Sequence, residues 1–368
     1  MAKKFYRIAA IGFAHMHIDS NIADFSSCGE RIKFVAAADA EPRVPSVSAE
    51  HGTRGECFKN AVRNYGFRPY DDYVRLLDEN EIDIALVCSE NVFHPEILET
   101  LLRRGIHAVV EKPLAADMPG ALRIARAARE TGARVITNWP SAWSPAVRKA
   151  KQLADSGAIG KIFKFTFRNA DSEGPMSYGQ KMTDSEKGAE WWHQSLAGGG
   201  ALLDYCCYGA AMSCWFLGQK PVAAYGLKAN FNSPYGDAED YATITARFPE
   251  SVAILEGSWT TVNSGVDNGP ILFGTEGTIV VRRDGTVAIF KTRHKNEPDE
   301  IINCGDLPAG RENLGKETLN HLDSGEPLFP LLDLPANLLA MSVLDAGIRS
   351  AASGKAELIN DAVWLAGH

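Results

Sequence analysis

The stretch His107-Ala108-Val109-Val110-Glu111-Lys112-Pro113-Leu114-Ala115 decides the fold. An apolar run ends in a carboxylate, an ammonium and a proline, which reads as a buried strand whose carboxyl end carries charged groups. Proline fixes its own backbone, and the peptide bond before it is the kind that can be cis, so Pro113 sets where the Lys112 side chain points. Working outward, similar apolar runs recur at 7–12 (RIAAIG), 33–39 (KFVAAAD), 83–88 (DIALVC) and 134–139 (RVITNW). Amphipathic segments such as 94–105 and 118–132 lie between them, the latter stopped by Gly132. Strands this uniformly apolar are covered on both faces, so residues 1–137 are expected to form a parallel sheet with helices on each side.

From residue 138 to the C-terminus at 368 the rhythm changes. A helix-rich stretch (145–156) leads into a Phe-alternating strand (161–168), a polar segment (169–190) and a glycine run opening a helix. From about 221 a series of strands is separated by turn signals, with Asp284-Gly285 at a hairpin tip, so this second domain is expected to be α/β with an antiparallel sheet. A final helix over 335–354 is apolar enough to pack back on the first domain.

The composition agrees with two globular domains: 368 residues, 45% hydrophobic and 23% charged. No apolar run reaches the roughly 18 residues of a membrane helix. Lys and Arg are scattered and the net charge is −8, which leaves no electrostatic footprint for nucleic acid or a membrane surface. The N-terminus passes from two lysines directly into a strand without a signal peptide's apolar core, so a cytoplasmic protein is expected. Seven Cys without CxxC spacing read as small buried hydrophobes in a reducing compartment, and no metal site is expected.

The first strand ends in Gly12-Phe13-Ala14-His15-Met16-His17, where a dinucleotide-binding turn has G-x-G-x-x-G. Only the first glycine remains. Small Ala14 still lets backbone approach a pyrophosphate, while His17 at the third position widens the helix–strand contact. The second strand ends in Asp39, which can accept from both ribose hydroxyls and so favours NAD, while Arg43 keeps NADP open. His15, His17 and His94 lack a carboxylate or third ligand at metal-site spacing and read as helix-start and loop residues.

Glu111-Lys112-Pro113 after an apolar strand resembles the hallmark of the glucose-fructose oxidoreductase / inositol dehydrogenase (Gfo/Idh/MocA) family. The likeness extends over nearly the whole chain: CSENVFHPEIL (88–98), SPAVRKAKQLADSGAIGKI (144–162), GGGALLD (198–204) and GTEGTIVV (274–281) resemble family segments. The resemblance implies an N-terminal Rossmann dinucleotide-binding domain and a C-terminal α/β domain with a large open, mainly antiparallel sheet that forms a homodimer or homotetramer face. It implies a pyridine-nucleotide oxidoreductase of sugars, inositols or related polyols. It places Gly12, Phe13, Ala14, His15, Met16, Asp39, Ser89, Glu90, Asn91, His94, Glu111, Lys112 and Pro113 around the cofactor. Independently of the family, an ammonium at a strand's carboxyl end can stabilise developing alkoxide charge as hydride moves.

The family's catalytic helix usually carries D-x-G-x-H, whereas this chain reads Asp204-Tyr205-Cys206-Cys207-Tyr208, resembling the branch with tyrosine in the histidine's place. On an α-helix Asp204 and Tyr208, at i and i+4, share one face. Tyr208 is therefore expected to be the general acid/base, Lys112 the charge that favours its phenolate, and Asp204 a substrate-hydroxyl ligand or orienting group. Trp139, Trp143, Trp191 and Trp192 offer aromatic faces to a sugar ring or pack as core, with Asn138 and His193 as polar candidates. Two other readings stay open: a nucleotide-binding regulatory or scaffold protein without turnover, and a reductase that holds NADP and cycles between two sugars.

Overall fold

The structure is a computed structural model describing residues 4–40, 52–170 and 182–359. In the first sheet, strands β1 (Tyr6–Ile11), β2 (Ile32–Ala38), β3 (Arg68–Tyr70), β4 (Ile84–Val87), β5 (His107–Glu111) and β6 (Val135–Asn138) lie parallel in the order 3-2-1-4-5-6. Helices α1 (His17–Ser26), α2 (Arg54–Tyr65), α3 (Tyr73–Glu79), α4 (His94–Arg103) and α5 (Met118–Thr131) connect them. Every residue of β4 is buried, as its unbroken apolar run requires. Strand order reverses between β1 and β4, and the carboxyl ends on either side of that reversal are where such sheets hold ligands. Strand β3 is absent from the sequence expectation because Arg68-Pro69-Tyr70 is too short to show a period.

The second sheet follows α6 (Pro145–Asp155). It begins with β7 (Ile162–Asn169), and α7 (Asp184–Ala189) and a π-helical turn (Leu202–Cys206) lead into α8 (Cys207–Leu217). Strands β8 (Ala223–Ala229), β9 (Tyr241–Arg247), β10 (Val252–Ser258), β11 (Ile271–Gly274), β12 (Thr278–Val281), β13 (Thr286–Phe290) and β14 (Glu300–Asn303) follow. After α9 (Leu314–Ser324) and α10 (Leu334–Ser353), strand β15 (Glu357–Leu358) completes nine strands in the order 14-13-12-11-7-10-9-8-15. The pairs are antiparallel except β7 with β10, which run parallel. Helices α6, α8 and α10 cover one face, and α9 reaches back to α1. Phe163, Tyr225, Leu227, Ile254 and Ile301 stay exposed on the sheet strands. Helix α10 also meets α5, and the Trp139 indole after β6 donates to Asn337 Oδ1 at 2.8 Å.

Candidate active site

Lys112 leaves the end of β5 through a cis bond to Pro113 and is 3% exposed. Its ammonium donates to the Asp204 carbonyl at 2.9 Å and to Asp204 Oδ1 at 2.5 Å, joining the end of β5 to the π turn. Burial alone pulls an ammonium toward the neutral form, but Asp204, then Tyr208, Cys207 and Glu111, outweigh it and hold Lys112 well above the ordinary lysine range. Asp204 Oδ2 accepts from the Trp259 indole at 3.1 Å. Both carboxylate oxygens are thus engaged, and Asp204 orients Lys112.

The glycines before Asp204 explain its placement. A Cβ on Gly199 would stand 2.2 Å from the Trp192 carbonyl oxygen, and one on Gly200 2.3 Å from Glu239 Oε1. Glu239 occupies that space to cap the helix entry: its carbonyl accepts from Ala201 N at 2.9 Å and its carboxylate from Leu202 N at 3.1 Å. Local sequence predicts a plain α-helix here. The structure instead has the π turn, with the Asp204 carbonyl drawn to Lys112 and to Cys207 Sγ at 3.1 Å. Insertion of a side chain into the backbone ladder is a recognised cause of such a distortion.

Lys112 also reaches the expected Asp204–Tyr208 pair: its Nζ bonds Asp204 and lies 4.8 Å from the centre of the Tyr208 ring. The ring also meets Trp139 edge-on at 5.6 Å and Phe167 at 6.4 Å. Lys112 was expected to bring the phenol down toward neutral pH. Burial pushes it up by more than Lys112 lowers it, and Cys207, Glu111 and Asp204 add to the rise, so Tyr208 is held as a neutral phenol.

A cavity of about 180 Å³ opens beside this corner, lined among others by His15, His17, Lys112, Trp191, Asp204 and Tyr208. Trp192, Met16, Tyr205 and Asn169 also line it among the described residues. His17 was not among the expected site residues. Its Nδ1 lies 2.9 Å from Glu111 Oε1, while Glu111 Oε2 accepts from Asn138 at 3.2 Å and Asn21 at 3.4 Å. Burial pushes the Glu111 carboxyl up, yet His17, His15 and Lys112 together hold it down to about 2. Burial and the neighbouring His17 hold His15 well below the ordinary imidazole range.

On the nucleotide side, Gly12 has φ +81° and a Cβ there would meet Ser89 N at 2.6 Å, so this glycine is required. Asp39 Oδ1 accepts from Phe13 N at 3.0 Å and from Arg54 at 2.7 Å, and its Oδ2 has no partner among the described residues. Arg54, unforeseen, also pairs with the buried Glu90. Arg43 lies outside the described residues, as do positions 171–181 of the polar segment read as a loop over the pocket. The imidazole of buried His94 lies 3.1 Å from the Pro113 carbonyl and 3.2 Å from that of Ser89, tying the ends of β4 and β5 together. Asn91 donates across to the Gly198 carbonyl at 2.8 Å and the Trp191 indole to that of Ala14 at 2.7 Å.

The expected sugar-facing residues divide. Trp191 and Trp192 line the cavity, whereas Asn138, Trp139, Trp143 and His193 are not among its lining residues. Trp139 is 1% exposed and packs as core, and the Trp143 indole donates to Asn138 Oδ1 at 3.2 Å. His193 is packed between Tyr235 and Trp259, and its Nδ1 is buried without a hydrogen-bond partner among the described residues. Burial, helped by Lys187, lowers it to about 4. Trp259 and Arg54 were missed because each acts through a partner distant in sequence, and a lone Trp or Arg gives no local signal.

Among the described residues no group of three or more His, Cys, Asp or Glu is placed to hold a metal, and no helix is long and apolar enough to cross a membrane. The Gly12 turn between β1 and α1, with the Asp39 carboxylate at the end of β2, fits a dinucleotide. The fold and this cleft define a dinucleotide-binding architecture joined to a second, mostly antiparallel sheet. Residues 27–139 match the family model described as oxidoreductase family, NAD-binding Rossmann fold, and residues 147–280 match the GFO/IDH/MocA C-terminal domain. The chain belongs to the Gfo/Idh/MocA family.

It is 31% identical over 182 residues to a dTDP-3,4-didehydro-2,6-dideoxy-alpha-D-glucose 3-reductase of Actinomadura kijaniata, a match covering 50% of this chain and 51% of that protein. It is 27% identical to the levoglucosan dehydrogenase of Pseudarthrobacter phenanthrenivorans over 64% of this chain and 65% of the relative. These matches therefore span about half to two thirds of the relatives' own length. The fold superposes on the WlbA dehydrogenase of Bordetella pertussis, solved with NADH and UDP-GlcNAcA, with a TM-score of 0.73 and 18% identity, covering 97% of this chain and 99% of that one.

Proposed function

We propose that this protein interconverts an alcohol and a carbonyl on a sugar or cyclic polyol using NAD, with Tyr208 as general acid/base and Lys112 as its electrostatic partner. The observation that carries this reading is the Lys112 ammonium, held by Asp204 over the Tyr208 ring at the wall of a cavity on the carboxyl side of β5. A bound nicotinamide would supply the hydride acceptor or donor, held by the Gly12 turn, Asp39 and the loops after β4 and β5. Lys112 then stabilises charge developing on the substrate oxygen, and a phenol kept neutral by burial is suited to donate a proton to that oxygen in the reducing direction. Trp191 and Trp192 offer apolar faces to the C–H surface of a ring. The exposed apolar residues of the nine-stranded sheet support a homo-oligomer through that face.

The test is a screen of levoglucosan, D-xylose and myo-inositol with NAD and with NADP, followed by nicotinamide absorbance. Turnover is expected, with Tyr208→Phe and Lys112→Ala each losing about a hundredfold or more in kcat. Near wild-type turnover in either variant would sink the assigned mechanism. Tight nucleotide binding with no turnover across a wider polyol set would favour the regulatory reading.

A further inference from the structure

We infer that His15, His17 and Glu111 form the proton exit of this cavity, with His17 carrying the reaction's proton between the active site and solvent. The inference rests on the oxidoreductase reading, which leaves a proton to be moved. The Tyr208 hydroxyl has no hydrogen bond to another described residue, and the Lys112 ammonium is committed to Asp204. Neither supplies a route out. The two histidines line the same cavity, and their rings lie 4.1 Å apart.

Their hydrogen bonds set their roles. The His17 amide donates to His15 Nδ1 at 3.2 Å, so neutral His15 carries its proton on Nε2. His17 Nδ1 faces the Glu111 carboxylate and therefore carries a proton, leaving Nε2 as the acceptor when the ring is neutral. A buried carboxylate that orients an imidazole and stabilises its charged form is the arrangement of a base and its positioning residue. Glu111 is nearly sealed, at 2% side-chain exposure, while His17 keeps 27% at the cavity wall. Glu111 from the end of β5 bonds His17 and the His15 ring packs on it, while Lys112, Asp204, Tyr205 and Tyr208 share its cavity. Asp19 follows on its own helix.

In the oxidising direction a bound nicotinamide would accept the hydride, with its electron pair, from the substrate carbon. The O–H bond breaks, the carbonyl forms, and the Tyr208 oxygen takes up that proton while its own phenolic proton passes through the cavity to His17 Nε2. The resulting imidazolium is balanced by Glu111 until it loses that proton to water. Reduction reverses each transfer.

The experiment uses the full chain and whichever of the three probe alcohols the wild type oxidises fastest. His17→Gln can still bond Glu111 but cannot hold a proton. It is expected to keep NADH binding, lose about a hundredfold in kcat in weak buffer, lose the imidazole inflection of the pH profile, and recover with added imidazole. Independently of turnover, ¹⁵N NMR of the histidines should show His17 as the Nδ1–H tautomer in the wild type, with the Nε2–H form appearing in Glu111→Gln. Retained turnover and inflection in His17→Gln, absence of rescue, or an unchanged His17 tautomer in Glu111→Gln would each overturn the exit. If His17→Gln no longer binds NADH, the NMR result decides. Failure of the wild type with every polyol would instead sink the parent reading.

Discussion

Two glycine-bearing segments frame the cavity, and they tolerate substitution differently. In the turn after β1 only Gly12 of the dinucleotide pattern remains, with Ala14 and His17 standing where other glycines would. In the run before the π turn, Gly198, Gly199 and Gly200 are all present. Backbone approach accounts for part of the difference: Gly12 meets the Ser89 backbone and Gly199 the Trp192 carbonyl. At position 17, by contrast, a side chain projects toward Glu111 and finds a partner there. A glycine is required where main chain touches main chain, and it can be replaced where the neighbour is a side chain able to rearrange.

The strongest test of that contrast breaks what the second segment presents. Lys112→Met leaves the Asp204 carboxylate beside an apolar group, and a loss of about 3–5 kcal/mol in urea unfolding is expected. An unchanged midpoint would show that the strained entry is not held by the ion pair. Next, Gly199→Ala must displace the Trp192 carbonyl and should cost about 1–3 kcal/mol by the same measurement. In the first segment Ala14→Gly should cost only about 0.5–1 kcal/mol, through the entropy of the unfolded chain. Equal effects at 199 and 14 would remove the distinction.

A smaller effect concerns His193, whose carbonyl accepts from Asp237 N and Ala238 N behind the second segment. Its folded-state value, about 4, lies below the ordinary 6.5, so the unfolded chain binds the proton more readily. The neutral ring's contribution is complete above pH 6.5 and is lost as pH falls toward 4. In His193→Phe the thermal midpoint should fall less steeply across that window than in the wild type. Equal slopes would assign the acid sensitivity to other groups.

Much of this was legible locally. Apolar runs bounded by helices predict the parallel sheet because burial on both faces leaves no polar alternation, and Glu111-Lys112-Pro113 marks the strand end that carries charge. The Lys112–Asp204 ion pair joins residues 92 positions apart, a separation that no periodicity reports. The π turn was equally hidden, since a tertiary ammonium and Glu239 override an ordinary helical sequence. Tyr208 shows the division most plainly: its identity as a phenol near a lysine is written in the chain, while the sign of its shift is not. Only the folded environment decides whether desolvation or the neighbouring cation dominates, because both depend on how much water the tertiary packing removes.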